Sequence, residues 1–277
     1  MASGLLCVLW RIPAVQTRVL VLRAAGTNCD RETEFAFRLA GAEAVRLHVN
    51  VLRQDPSLLA DFHVMAIPGG FSYGDDLGAG KVLANELLTK LRGALDEFLD
   101  AGKLVIGICN GFQVLVKTGL LPGFVRWRQQ ATLTFNDSHL FEDRWTYLRA
   151  GPNRCALVEE GDHVYLPVAH AEGKFVVESP DVLDRLRADG QIVYRYTGPE
   201  GEPAGYPWNP NGSADDIAAI CDPTGRVLGM MPHPERHCLP THDPRWPRRG
   251  LADEGEGLRL FRRAVQFVQR DLLATAR

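Results

Sequence analysis

Two short segments carry residue types that do chemistry together. Gly107-Ile108-Cys109-Asn110-Gly111 follows the apolar run Lys103 to Ile108 and precedes a helical pattern through Phe112, Val114, Leu115 and Val116. A cysteine between glycines, placed between a strand and a helix, has the G-x-C-x-G form of a nucleophile elbow, in which small flanking residues permit a sharp turn that projects the reactive atom. The helix start helps further, because its free amides and dipole favour a thiolate and the Asn110 amide can point toward an oxyanion. The second segment, Pro232-His233-Pro234-Glu235-Arg236, follows the apolar run 227–231. Pro234 restricts that turn, so the Glu235 carboxylate can hold the far side of the His233 imidazole while the near side faces a thiol. Cysteine, histidine and carboxylate then act as nucleophile, base and orienting group. Each segment has a plainer reading as well: Cys109 as a small buried hydrophobe, His233 as a solvated loop histidine. A carboxylate two residues from the histidine, and a strand end just before it, favour the chemistry.

Positioning these groups requires strands that end together. Val19-Leu20-Val21-Leu22 leads into Ala24-Ala25-Gly26-Thr27-Asn28 and a helical pattern from Asp30 to Leu39. Strand signals recur at Val45 to Val49, at Val64-Met65-Ala66-Ile67 before Pro68-Gly69-Gly70, and at Lys103 to Ile108, with Leu88, Leu91, Leu95 and Phe98 marking one face of an intervening helix. This alternation predicts a mostly parallel central sheet with helices on both faces, an α/β fold that binds ligands at the carboxyl ends of its strands. After Pro122 the pattern changes to short strands around Trp127, Thr132 to Phe135, Val164 to Val168 and Gln191 to Tyr196, which predicts a small antiparallel elaboration. A buried strand returns at Val227 to Met231. The chain closes on an amphipathic helix with Leu258, Phe261, Val265, Val268 and Leu272 on one face. No repeat or linker divides it, so residues 17–277 are expected to form one domain after an extension, 1–16.

Composition narrows the partners. Lysine and arginine number 31 against 34 acidic residues, a net charge of -3, so no broad cationic surface is expected for nucleic acid or anionic lipid. No stretch approaches the length of a membrane helix, and the opening apolar run makes a poor signal peptide. Six cysteines, at 7, 29, 109, 155, 221 and 238, lack paired spacing and point to a reducing, cytoplasmic setting.

Several further segments accompany the elbow and the His-x-Glu pair: Gly26-Thr27-Asn28-Cys29-Asp30, Pro68-Gly69-Gly70-Phe71-Ser72-Tyr73-Gly74-Asp75-Asp76-Leu77, Ala169-His170-Ala171-Glu172-Gly173 and Trp208-Asn209-Pro210-Asn211-Gly212-Ser213. With Gly107 to Gln113 and Met230 to Arg236, they resemble the glutaminase components of phosphoribosylformylglycinamidine synthases, which are class I, triad-type glutamine amidotransferases of flavodoxin-like fold. The resemblance runs from about Val19 to the C-terminal helix. It implies that Cys109 attacks the side-chain amide of glutamine, that His233 moves the proton to departing ammonia, that Glu235 orients the imidazole, and that water then hydrolyses a thioester. It also implies an oxyanion hole near Gly70 and Asn110, and glutamine contacts at Gly69, Phe71, Gln113, Asn136 and Ser138. No metal or cofactor is expected in this chain. ATP and magnesium belong to an ATP-dependent synthetase partner, with or without a small accessory subunit, which uses the ammonia to make formylglycinamidine ribonucleotide.

Other segments compete for attention. Cys29 lacks the glycines of an elbow and neighbours Asp30, so a structural or interface role is expected. His233, His237, Cys238 and His242 could be read as a metal cluster, but the prolines around them make an irregular loop. His170 with Glu172 is a second His-x-Glu pair without fixing prolines, and a loop role near a channel or interface is expected. Gly78-Ala79-Gly80-Lys81-Val82 lacks the first glycine and the hydroxyl of a phosphate loop, and reads as a loop entering a helix, which the resemblance places near the partner surface. Arg23-Ala24-Ala25-Gly26 lacks the proline of many relatives, and the insertion Thr197 to Tyr206 resembles the longer glutaminase end of fused, single-chain synthases. Two alternatives remain from sequence: a triad amidotransferase serving another acceptor enzyme, and a non-catalytic regulatory subunit of the same fold.

Overall fold

The computed structural model describes residues 16–203 and 205–274, so all but the last residue of the expected extension, and Cys7 with it, lie outside the described residues. The first half alternates as its apolar runs require: β1 (Arg18–Arg23), α1 (Asp30–Leu39), β2 (Glu43–His48), α2 (Val49–Gln54), β3 (Val64–Ile67), α3 (Lys81–Glu86), α4 (Arg92–Asp100), β4 (Leu104–Ile108) and α5 (Asn110–Thr118). The second half adds β5 (Ala131–Thr134), β6 (Glu142–Arg149), β7 (His163–His170), β8 (Lys174–Val177), α6 (Pro180–Ala188), β9 (Ile192–Thr197), β10 (Ile217–Cys221), β11 (Val227–Met230), α7 (Trp246–Arg249) and α8 (Leu258–Phe267).

One nine-stranded sheet has the order β2-β1-β3-β4-β11-β10-β9-β6-β7. Its first five strands are parallel, and from β11 onward each pairing is antiparallel. The antiparallel part therefore prolongs the central sheet, with only β5 and β8 standing apart as a two-stranded ribbon. β3 and β4 are buried at every residue, as strands covered on both faces must be. On one face α1 packs on α8, with Phe37 edge-on to Phe261 at 4.9 Å; on the other, α3 packs on α5. Leu20, Met65, Val105 and Val227 lie in register across the centre of this core. Because β1, β3, β4 and β11 run the same way, the loops after Arg23, Ile67, Ile108 and Met230 all leave at one edge.

Some elements depart from expectation for local reasons. The helix expected to bury Leu88 is broken: Leu87 to Leu91 form a π turn, Leu91 has φ -122°, and Leu87 rather than Leu88 enters the core beside Leu91, Leu95 and Phe98. β6 reads Glu-Asp-Arg-Trp-Thr-Tyr-Leu-Arg, and its charged, half-buried pattern hides a strand that pairs with β7 over its full length. β10 is only five residues of small and apolar type, and α6 was equally silent. Trp127 lies in a turn with φ 69° instead of a strand. Among the described residues no helix is long and apolar enough to cross a membrane.

Candidate active site

Cys109 is the turning point between β4 and α5. Its backbone adopts φ 51° and ψ -105°, a conformation that costs a residue with a Cβ about 1–3 kcal/mol and persists only where the surroundings impose it. The surroundings do so: the Cys109 amide donates to the Met230 carbonyl at 2.8 Å, and the Gln113 amide donates to the Cys109 carbonyl at 3.1 Å. Gly107 and Gly111 are needed for contact and not for torsional freedom. A Cβ on Gly111 would lie 1.9 Å from the Ile67 carbonyl oxygen, and one on Gly107 would lie 2.6 Å from that of Gly111. The elbow is thus wedged between β3 and its own helix.

The second segment closes on the first from β11. The His233 amide donates to the Pro167 carbonyl at 2.8 Å, and its Nδ1 stands 2.6 Å from Glu235 Oε1. Both side chains are buried. Burial opposes charge on the imidazole, but the Glu235 carboxylate and the Cys109 sulfur outweigh it, and His233 is held well above the ordinary histidine range. With Nδ1 donating to the carboxylate, Nε2 is the nitrogen left for chemistry, and it has no other hydrogen-bond partner among the described residues. Gly69 lies over the pair of catalytic candidates: a Cβ there would meet His233 Cε1 at 2.8 Å and Cys109 Cβ at 3.4 Å.

Gly70 follows with φ 143°, a region open to glycine, and a Cβ on it would lie 2.7 Å from the Asn28 nitrogen. Asn110 is the first residue of α5, so its amide has no carbonyl one turn earlier in the helix. Its side chain is fully engaged, accepting from the Ser72 amide and donating to Asp75 Oδ1 and Gln113 Oε1. Gln113 in turn donates to the Glu172 carbonyl at 2.7 Å. The segment 75–80 enters α3 as expected of a loop; Asp75 Oδ1 accepts from the Gly80 amide and so faces inward. Phe71 is 46% exposed and sits 6.5 Å from the half-exposed Phe141.

Several expected site residues have their side chains engaged within the fold. Asn136 is fully buried; its side chain donates to the Leu140 and His170 carbonyls and accepts from the Gly173 amide. Ser138 donates to Glu142 Oε1 at 2.7 Å. Neither is placed with an unengaged side chain toward Cys109, because both tie the turn after β5 to neighbouring segments. His170 is no loop residue: it ends β7, is buried, and lies between Asn136 Oδ1 at 3.1 Å and Asn211 Nδ2 at 3.4 Å. Asn211 also donates to the Tyr196 hydroxyl. Sequence reasoning missed this network, although Asn136, His170 and Asn211 all lie within segments it singled out. Its service is indirect, since the Ala169 carbonyl beside His170 accepts from Cys109 Sγ at 3.7 Å.

The network carries an acid-stability signature. Burial, with the charge on His233 adding to it, holds the His170 imidazole down at about 3. An unfolded chain protonates the same ring near an ordinary value of about 6.5, so this contribution to stability is complete above that pH and is lost as pH falls toward 3. Urea unfolding of wild type and His170→Gln at about pH 7 and about pH 4 should show it. The variant is less stable at neutral pH, yet its loss on acidification is smaller by about 3 kcal/mol. Equal losses in the two proteins would refute the assignment.

The remaining competitors separate in space. His237 Nδ1 donates to the Tyr165 carbonyl, Cys238 Sγ donates to the Pro234 carbonyl, and His242 Nδ1 accepts from the Leu239 amide, so these side chains do not converge on a metal. Cys29 is neither remote nor at a surface. It is buried, its Sγ accepts from Arg236 Nη2 at 3.1 Å, and it belongs with His233 and Glu235 to a group whose ligand atoms lie within 4.8 Å of one another.

Comparison with known proteins follows the same lines. Residues 16–268 match the CobB/CobQ-like glutamine amidotransferase domain. The phosphoribosylformylglycinamidine synthase subunit PurQ of Dehalococcoides mccartyi is 50% identical, over 92% of this chain and 98% of the relative. PurQ of Archaeoglobus fulgidus is 41% identical over 92% of this chain and 98% of that protein. Among solved structures, a chain of PurLQS from Thermotoga maritima superposes with a TM-score of 0.70 at 28% identity, covering 91% of this chain and 99% of that one. The chain therefore belongs to the CobB/CobQ-like glutamine amidotransferases, among the relatives of the synthase subunit PurQ.

Proposed function

We propose that this chain is the glutaminase subunit of a phosphoribosylformylglycinamidine synthase. The observation that carries the reading is the strained Cys109 at the end of β4, set against a buried His233–Glu235 pair from the next strand of the sheet. Cys109 gives its thiol proton to His233 Nε2 as Sγ adds to the side-chain carbonyl carbon of glutamine, and the amides of Gly70 and Asn110 receive the negative charge that develops on oxygen. His233 Nε2 gives its proton to the leaving nitrogen as the C–N bond breaks, so ammonia departs and a thioester remains. Water, deprotonated by the same nitrogen, then releases glutamate and restores the thiol. Gln113 and the 170–173 turn hold the wall of this space, Gly69 lets the backbone pass close to the reacting groups, and Phe71 stands at its rim.

Ammonia made this way is useful only to an acceptor. The PurQ relatives, and the PurLQS assembly that contains the structural neighbour, support an ATP-dependent synthetase and a small accessory subunit as partners, with ATP and magnesium bound there. The reaction would then be that of purine biosynthesis in the cytoplasm. Glutamate release from glutamine tests this: it should be weak for the chain alone, rise with the synthetase and its substrates, and fail to rise with an unrelated acceptor enzyme. Stimulation by the unrelated enzyme instead would overturn the assignment.

Glu235→Gln tests the orienting role separately. The amide cannot supply the charge that outweighs burial at His233, and it also misdirects the imidazole tautomer. Turnover should fall by about 10³- to 10⁴-fold with little change in KM. A loss that appears in KM alone would place Glu235 in substrate binding.

A further inference from the structure

Three consecutive residues in the loop after β3 are left-handed, Tyr73 at φ 56°, Gly74 at 71° and Asp75 at 53°. Only the middle one is a glycine, so the other two are held there against a steric penalty. The turn brings a carboxylate inward. Asp75 Oδ1 accepts from Asn110 Nδ2 at 3.2 Å and from the Gly80 amide at 3.3 Å. Burial raises the Asp75 carboxyl above its ordinary value, and repulsion from Glu172 adds to this against the bonds from Gly80 and Asn110. The proposed hydrolysis gives this strained, half-buried carboxylate no task.

The direction of each hydrogen bond around Asn110 is fixed by backbone groups. The Ser72 amide can only donate, so Asn110 turns Oδ1 toward it at 3.2 Å and presents Nδ2 on its other side. The Nδ2 protons go to Gln113 Oε1 at 2.9 Å and to Asp75. Gln113 is directed in the same way, because its Nε2 meets the Glu172 carbonyl, which can only accept. One buried side-chain amide thus holds the loop at residues 72 and 75, while its own backbone N–H is one of the two proposed oxyanion donors. The other donor, Gly70, lies two residues before Ser72. We propose that Asp75 is a positioning residue for glutamine hydrolysis: through Asn110 it fixes the distance between the Gly70 and Asn110 amides, and with it the fit of the oxyanion. This role rests on the reading of Cys109 as the nucleophile and of those two amides as the oxyanion donors.

Asp75→Ala should lower kcat for glutamate release by about 10²-fold and leave KM within about threefold, since the oxyanion exists only after attack. Asp75→Asn keeps an oxygen acceptor in the same place and should recover about tenfold or more of that loss. A double-mutant cycle reads what a merely structural role would not move. Asp75→Ala combined with Asn110→Ala should be no more than about threefold slower than Asn110→Ala alone, because the carboxylate acts through that side chain. Losses that multiply would overturn the role, as would an Asp75→Asn protein as slow as Asp75→Ala. Alkylation of Cys109 by iodoacetamide guards against a variant that fails to fold. It displaces iodide and forms no oxyanion, so its rate at Cys109, followed by peptide mass, should stay within about threefold of wild type in Asp75→Ala. A fall as large as that in kcat would mean that the whole site is lost, and would also overturn the role. Cys109→Ala separates this outcome from the wider reading: glutamate release that survives there removes the thioester mechanism itself, whereas wild-type kcat in Asp75→Ala beside an inactive Cys109→Ala sinks Asp75 alone.

Discussion

Cys109→Ala should lower glutamate release by about 10⁴-fold or more, because it removes the sulfur proposed to form the thioester. The same substitution should lower the unfolding free energy by only about 1 kcal/mol. The sulfur makes one long hydrogen bond, to the Ala169 carbonyl, beside its interaction with His233, and the residue occupies φ 51° whichever small side chain it carries. Cys109→Gly separates geometry from chemistry. It should be equally inactive, yet more stable than the alanine variant by about 1 kcal/mol, because glycine tolerates that φ without strain. Paired assays of glutamate release and urea unfolding test both halves. Substantial activity in the alanine variant would mean that a neighbouring thiol, Cys29 above all, is the nucleophile. Equal stability of the alanine and glycine variants would mean that the elbow stores no strain.

The sequence disclosed the elbow and the His-x-Glu pair because both are local: each places its residues within five positions and beside an apolar strand. Their meeting is a consequence of topology, and that too was legible. β4 and β11 are parallel neighbours, so two strand ends read separately in the sequence come to one edge, with Met230 opposite Ile108. Asn136 and Ser138 were different. An exposed-looking Asn-Asp-Ser-His turn gives no sign that its first side chain is spent on three backbone groups; that depends on Gly173 and His170, more than thirty residues away. The surroundings of Cys29 were hidden for a related reason. Its own neighbours, Asn28 and Asp30, argue against reactivity, whereas the groups that define its surroundings, Arg236 and His233, arrive from the far end of the chain. β6 was hidden by its charges: half-buried Arg144 pairs with buried Glu142 and exposed Tyr206, so polar residues there decorate a strand instead of interrupting it.

Gly111→Ala should do the most damage for the smallest chemical change. The added methyl would stand 1.9 Å from the Ile67 carbonyl oxygen and 2.7 Å from its carbon. Both are backbone atoms of a buried central strand, so no rotamer relieves the contact. Reaching ordinary packing requires α5 and β3 to part by about 1.5 Å, in an interior as dense as an organic crystal. The cost should be about 3 kcal/mol, at the upper end for overpacking. The functional cost should exceed what stability alone predicts. β3 leads into Gly69 and Gly70, while α5 carries Asn110 and Gln113, so the displacement opens the proposed oxyanion site along the direction that matters. A misplacement of about 1 Å is worth about 10²-fold in rate even where the protein remains folded. Gly93→Ala supplies the opposite sign. That glycine is in α4, has no positive φ, and a Cβ there meets nothing within 4 Å. Alanine at 93 should stabilise the protein by up to about 1 kcal/mol through helix propensity and leave turnover unchanged. Urea midpoints and glutamate release for the two variants, measured side by side, decide the matter: a Gly111→Ala protein as stable and active as Gly93→Ala would show that the elbow is not wedged against β3.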